Sequence, residues 1–132
     1  MKEVNSQQFF RQWIKKNPPK ETQTFEYKIC KAKSLPFSRV EEHQEFYLTQ
    51  SKDKGFYYKL SDLSAGIKPF DAVWIKAEKA FIIIHFYKIR VKNVMYMIEI
   101  EDWLLYKNES KKQSITEEEC EEIAYKVINF KK

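Results

Sequence analysis

The sequence predicts an α/β fold bordering on α+β, a mixed central sheet of about five strands flanked by helices. Two observations lead there. Apolar residues recur at helical spacing near both ends, at Phe10, Trp13 and Ile14 and again at Cys120, Ile123, Ala124, Val127 and Ile128. Between them lie segments that alternate in polarity or run apolar throughout, as strands do.

Taken in order, Ser6 caps a first helix that runs to about Lys16, and Asn17-Pro18-Pro19 stops it. Residues 24–30 alternate. Phe25, Tyr27 and Ile29 point one way; Thr24, Glu26, Lys28 and Cys30 point the other. After a loop over 31–37, Ser38 with Glu41 reads as a capping box for a helix to about Ser51. Its inward stripe is Val40, Gln44, Tyr47 and Leu48, with Glu42, Glu45 and Phe46 on the other side. Gly55 opens a strand over 56–60, and residues 70–75 make the next. The strand from Ala80 to about Val91 starts with Phe81-Ile82-Ile83-Ile84, apolar on both faces as a central strand is. Residues 94–100 form a fifth strand, which 103–106 continue or follow. Thr116 with Glu119 caps the last helix.

The length of 132 residues fits one domain able to bury a core without disulfides. Two glycines argue against a glycine-rich phosphate loop, and the net charge of +5 permits nucleic-acid binding without establishing it. Cys30 and Cys120 have neither zinc-ribbon spacing nor a disulfide framework, and adding His43 and His85 gives only an arbitrary set of ligands. The polar start and the short apolar runs point to a reducing cytoplasm.

Two constellations can carry chemistry. Glu26 and Lys28, two apart on a strand, emerge on one face, where a carboxylate can ligate a metal and an ammonium can meet a phosphate. A solvated strand face has the same composition. Asp71, in Pro69-Phe70-Asp71, stands at the mouth of the next strand, where it also suits a turn. Hydrolysis of a phosphodiester needs a metal that polarises the phosphoryl oxygen and supplies hydroxide. Magnesium asks for only one or two carboxylates. Glu26 and Asp71 meet that need if their strands are neighbours, with Lys28 offsetting charge on the phosphate. Gln44, an amide on an apolar stripe, either satisfies the backbone or orients this site. His85, inside the apolar strand, reads as a core histidine.

These residues resemble the PD-(D/E)XK nucleases. The stretch 55–88 is similar to their core, with Pro69-Phe70-Asp71 and a hydrophobic strand ending in Lys88, although Phe86 stands where that pattern has an acid. Phe25-Glu26-Tyr27-Lys28, the loop Ser34-Leu35-Pro36 and the pair His43-Gln44 are similar to RecU-type Holliday junction resolvases. Together the resemblance covers about half to two-thirds of the chain. The aspartate strand follows the Glu-x-Lys strand instead of preceding it, so the motif order is rearranged, with Asp62 and Lys88 as alternates for the third acid and the active lysine.

The resemblance implies a restriction-endonuclease-like fold and a Mg²⁺- or Mn²⁺-dependent endonuclease selective for branched DNA. It implies a homodimer, matched to the two symmetric cleavage points of a junction, and a phage- or mobile-element-borne enzyme acting in the host cytoplasm. Its catalytic set is Glu26, Lys28, Asp71 and Gln44, with Glu26 and Asp71 on the metal. Lys31, Lys33, Ser34, Arg39 and His43 contact DNA. The alternatives are a nucleic-acid-binding module without hydrolysis and a protein-interaction domain.

Overall fold

The structure is a computed structural model that describes residues 3–61, 67–91 and 93–130. Helix α1 (Glu3–Lys16) leads into strand β1 (Gln23–Cys30). A short strand, β2 (Ser34–Pro36), and one turn of 3-10 helix precede α2 (Glu42–Asp53). Strands β3 (Phe56–Lys59) and β4 (Ala72–Ile75) come next, followed by β5 (Lys79–Phe86) and β6 (Asn93–Glu99). Helix α3 (Ile100–Glu109), β7 (Ser114–Thr116), α4 (Glu117–Ile123) and β8 (Lys126–Phe130) complete the described chain.

The main sheet is mixed and has four strands in the order β1-β5-β6-β8. β1 runs parallel to β5, and the other pairings are antiparallel. An α/β fold was expected. The sheet differs in membership: β3 and β4 do not join it but form a separate antiparallel ribbon, and β2 pairs with β7 in another.

β5 explains why the sheet forms where it does. From Ala80 to Phe86 every residue is buried, so both faces of this strand need cover. α1 covers one face, where Phe10 packs with Phe81, Ile83, Met95, Met97 and Ile128. α2, α3 and α4 cover the other, where Leu48, Trp103 and Cys120 close over Ile82, Ile84 and Ile98. β1 obeys its alternation: Phe25 and Tyr27 pack on the α1 side and Cys30 enters the opposite cluster.

Four expectations are corrected. The capping box of α2 is not Ser38 with Glu41; Ser38 lies in the 3-10 turn, and the Glu41 N–H donates to Gln44 Oε1 at 2.9 Å. The inward stripe of α2 is Glu45, Leu48 and Ser51, while Tyr47 is 57% exposed. Residues 103–106 are helical, in α3, whose first turn carries Glu101 and Asp102 against the positive end of the helix dipole. The last helix ends at Ile123, and Val127 and Ile128 belong to β8. There the β-branched pair fits an open sheet edge beside β6.

The box of Thr116 and Glu119 is present as the spacing predicts, with Glu119 N–H donating to Thr116 Oγ1 at 3.2 Å and Thr116 N–H to Glu119 Oε1 at 2.9 Å. His85 is a satisfied core histidine, 2% exposed. Its Nδ1 lies 2.6 Å from Ser6 Oγ and its Nε2 lies 3.1 Å from Asn93 Oδ1. An amide oxygen only accepts, so Nε2 carries the proton and Nδ1 accepts from the serine hydroxyl. Among the described residues, no helix is long and apolar enough to cross a membrane.

Candidate nucleic-acid site

Glu26, His43 and Gln44 line one hollow of about 420 Å³ between β1 and α2. Thr24, Tyr47, Ser51 and Phe56 complete much of its wall. β1 supplies Glu26 because its even-numbered residues face α2. α2 supplies the other two because its first turn overhangs the strand. A hydroxyl pair ties the elements together, Thr24 Oγ1 and Ser51 Oγ at 2.9 Å, and the Ser51 hydroxyl also donates to Leu48 O at 2.7 Å. Lys28 lies two residues beyond Glu26 on the same strand face.

Gln44 therefore has two roles. Its oxygen accepts the Glu41 N–H at the start of α2, and its amide forms part of the wall beside Glu26. Its position in the hollow follows from capping, not from burial in an apolar stripe. His43 is 62% exposed, with Nδ1 3.3 Å from Glu41 Oε2.

Asp71 lies elsewhere. It precedes β4 in the ribbon, its side chain is 87% exposed, and Oδ1 sits 3.1 Å from Lys68 Nζ. It is not among the residues lining the Glu26 hollow. Phe56 reaches that hollow from the base of the ribbon, opposite Ile75. Asp71 is four residues before Ile75, about 13 Å along an extended strand. β3 and β4 are also not hydrogen-bonded neighbours of β1, which was the condition for the carboxylate pair. Asp62 falls outside the described residues.

The basic residues gather at a second place. Lys31, Lys33 and Lys88 line a hollow of about 640 Å³ with Phe86, Tyr87, Thr116, Glu117 and Glu118. The parallel pairing of β1 and β5 makes this site. Cys30 and Phe86 end the two strands side by side, and both following loops leave at that end. Tyr87 N–H donates to Cys30 O at 2.8 Å and locks the exit. Open α/β sheets bind ligands outside such carboxyl ends. Lys88 Nζ is held 2.8 Å from Glu117 Oε1, and Glu117 Oε2 accepts from Tyr96 OH at 2.8 Å. Burial and this bond raise the Tyr96 phenol well above its ordinary value. Lys31 and Lys33 are exposed.

Ser34 and Arg39 flank the same end of β1. Ser34 pairs with Thr116 across β2 and β7, and Arg39 Nη2 donates to Ile29 O at 3.4 Å. Tyr87, Thr116 and Glu117 were missed by sequence reasoning. The signal for Tyr87 and Lys88 was present in their place directly after the apolar strand, but the parallel register that brings them to Lys31 has no local mark. Among the described residues, no group of three or more His, Cys, Asp or Glu side chains can hold a metal ion.

Comparison with known proteins found no matching family model, and no curated protein or solved structure of significant similarity.

Proposed function

We propose that this chain is a metal-dependent endonuclease acting on DNA, selective for branched structure, with Glu26 as its metal carboxylate. The observation that carries this reading is the convergence of Glu26 with His43 and Gln44 on one hollow, with Lys28 on the same strand face. Glu26 is the carboxylate oxygen donor there, and a Mg²⁺ or Mn²⁺ ion asks for only one or two such ligands, its shell completed by water and phosphate oxygens. When bound, the ion would polarise the scissile phosphate and lower the pKa of its water. Lys28 would offset charge on the phosphate, and the lysines at the carboxyl end of β1 and β5 would grip the flanking backbone without reading sequence.

The test is cleavage of four-way junction, duplex and single-stranded DNA with and without Mg²⁺ or Mn²⁺. Cleavage is expected with metal only, and Glu26→Gln should lower it about a hundredfold or more while leaving binding in chelator intact. No cleavage of any of these DNAs in either metal ends the nuclease reading. Asp71→Asn is informative alongside. Unchanged cleavage would show that Asp71 serves no metal.

A second reading, a nucleic-acid-binding domain without hydrolysis, draws on a specific observation. Asp71, the expected partner carboxylate, sits about 13 Å along a separate ribbon and pairs with Lys68. Under it, DNA affinity falls steeply with salt, and Lys31→Ala with Lys33→Ala lessens that salt dependence.

A further inference from the structure

We infer that β1 is a dimerisation strand, through which two copies of this chain join their sheets by antiparallel β1–β1 pairing centred on Tyr27. Among the described residues β1 is an edge of the main sheet, bonded to β5 alone. It is eight residues long, and a strand of that length with one open side is a template for a further strand.

Two main-chain bonds fix which backbone groups face outward. Tyr87 N–H donates to Cys30 O, and Glu78 N–H donates to Thr22 O, both toward the β5 side. N–H and C=O of one residue point the same way in a strand, and the direction alternates. The even-numbered residues of β1 therefore face β5, and Phe25, Tyr27 and Ile29 present N–H and C=O to the open edge. Arg39 donates to Ile29 O from that side, over a long and exposed contact of 3.4 Å. A carbonyl oxygen has a second lone pair, so this contact leaves the pairing possible.

An antiparallel ladder needs outward-facing residues opposite each other. Two copies related by a two-fold axis can therefore match about any residue of β1, and the longest overlaps are centred at Glu26 and at Tyr27, with a shorter one at Lys28. Centred on Glu26, the two Glu26 side chains stand directly opposed. Centred on Lys28, the two lysines do. Centred on Tyr27, Glu26 of each copy faces Lys28 of the other, Phe25 faces Ile29, and about six main-chain hydrogen bonds form. Opposite charges across a non-hydrogen-bonded pair are favourable and like charges are not. The strand is thus complementary to itself in one register only, which is why a second copy is the occupant and not an arbitrary extended peptide. On the α2 side the two Glu26 hollows lie next to each other across the axis, with Tyr47, 57% exposed, on their walls.

The inference shares Glu26 and Lys28 with the nuclease reading, but its test needs neither DNA nor metal, so the two can fail separately. Light scattering and sedimentation over a range of concentrations should show a dimer. Carbodiimide coupling of a mixture of natural and heavy-nitrogen protein should join Glu26 of one chain to Lys28 of the other. Glu26→Lys, which sets lysine against lysine, should weaken the dimer about tenfold or more, and Glu26→Lys with Lys28→Glu should restore it. A monomer at every concentration overturns the inference, as does a dimer whose mixed-isotope cross-links avoid β1. Coupling is read on the natural chain, so the result stands even if a variant fails to fold.

Discussion

Glu45 shows how a charged residue becomes structural. It is 8% exposed on α2, where both of its oxygens lie 3.1 Å from Lys107 Nζ and Oε2 accepts the Trp103 indole N–H at 2.8 Å. Trp103 is fully buried, so its N–H has this carboxylate in place of water. Glu45→Ala should cost about 2 kcal/mol in urea unfolding, mainly from the orphaned indole. His85 carries the pH dependence. Burial lowers its pKa, the Asn93 bond opposing only in part. The folded chain therefore holds the proton more weakly than the unfolded one. Stability is full above the unfolded value of about 6.5 and is lost as pH falls from there through the lower folded value. Melting temperature should drop over that interval, and His85→Gln should flatten the profile. Glu119, held down to about 2 chiefly by Lys112 and Tyr106, acts in a lower window. Its contribution is lost only as pH falls below the ordinary carboxylate range toward 2.

Local signals were reliable for elements that close on themselves and misleading where a tertiary partner decides. The box at Thr116 was legible because both of its bonds lie within four residues. The box at Ser38 failed because Phe37 N–H is drawn to Gln113 O at 3.0 Å, delaying α2. β8 carries apolar residues at a spacing that also suits a helix, and the antiparallel pairing with β6, from Met97 opposite Lys126 to Asn93 opposite Phe130, decides for a strand. Gly55 ends α2 and starts the ribbon at φ +78°, and an added Cβ would lie 2.6 Å from Ile75 O. Gly55→Ala should therefore destabilise by more than about 1 kcal/mol, read by thermal melting, through both the backbone and the ribbon base.

At the scale of the molecule, the candidate site was legible in part. Glu26, His43 and Gln44 come together, and the Phe-Glu-x-Lys strand and the His-Gln helix that carry them were visible as sequence. The gathering of Lys31, Lys33 and Lys88 depends on a parallel pairing, and sheet order leaves little trace in local spacing. The same pairing also shapes how the chain reaches its fold. β5 and β6 are neighbours in sequence and can zip early as a hairpin, but Phe25 must find Phe81, fifty-six positions further along the chain. Closing so wide a loop is entropically slow. Until β1 arrives, the most apolar strand in the protein has one bare flank. Refolding yield should then depend on protein concentration, with crowding of half-formed sheets as the competing outcome.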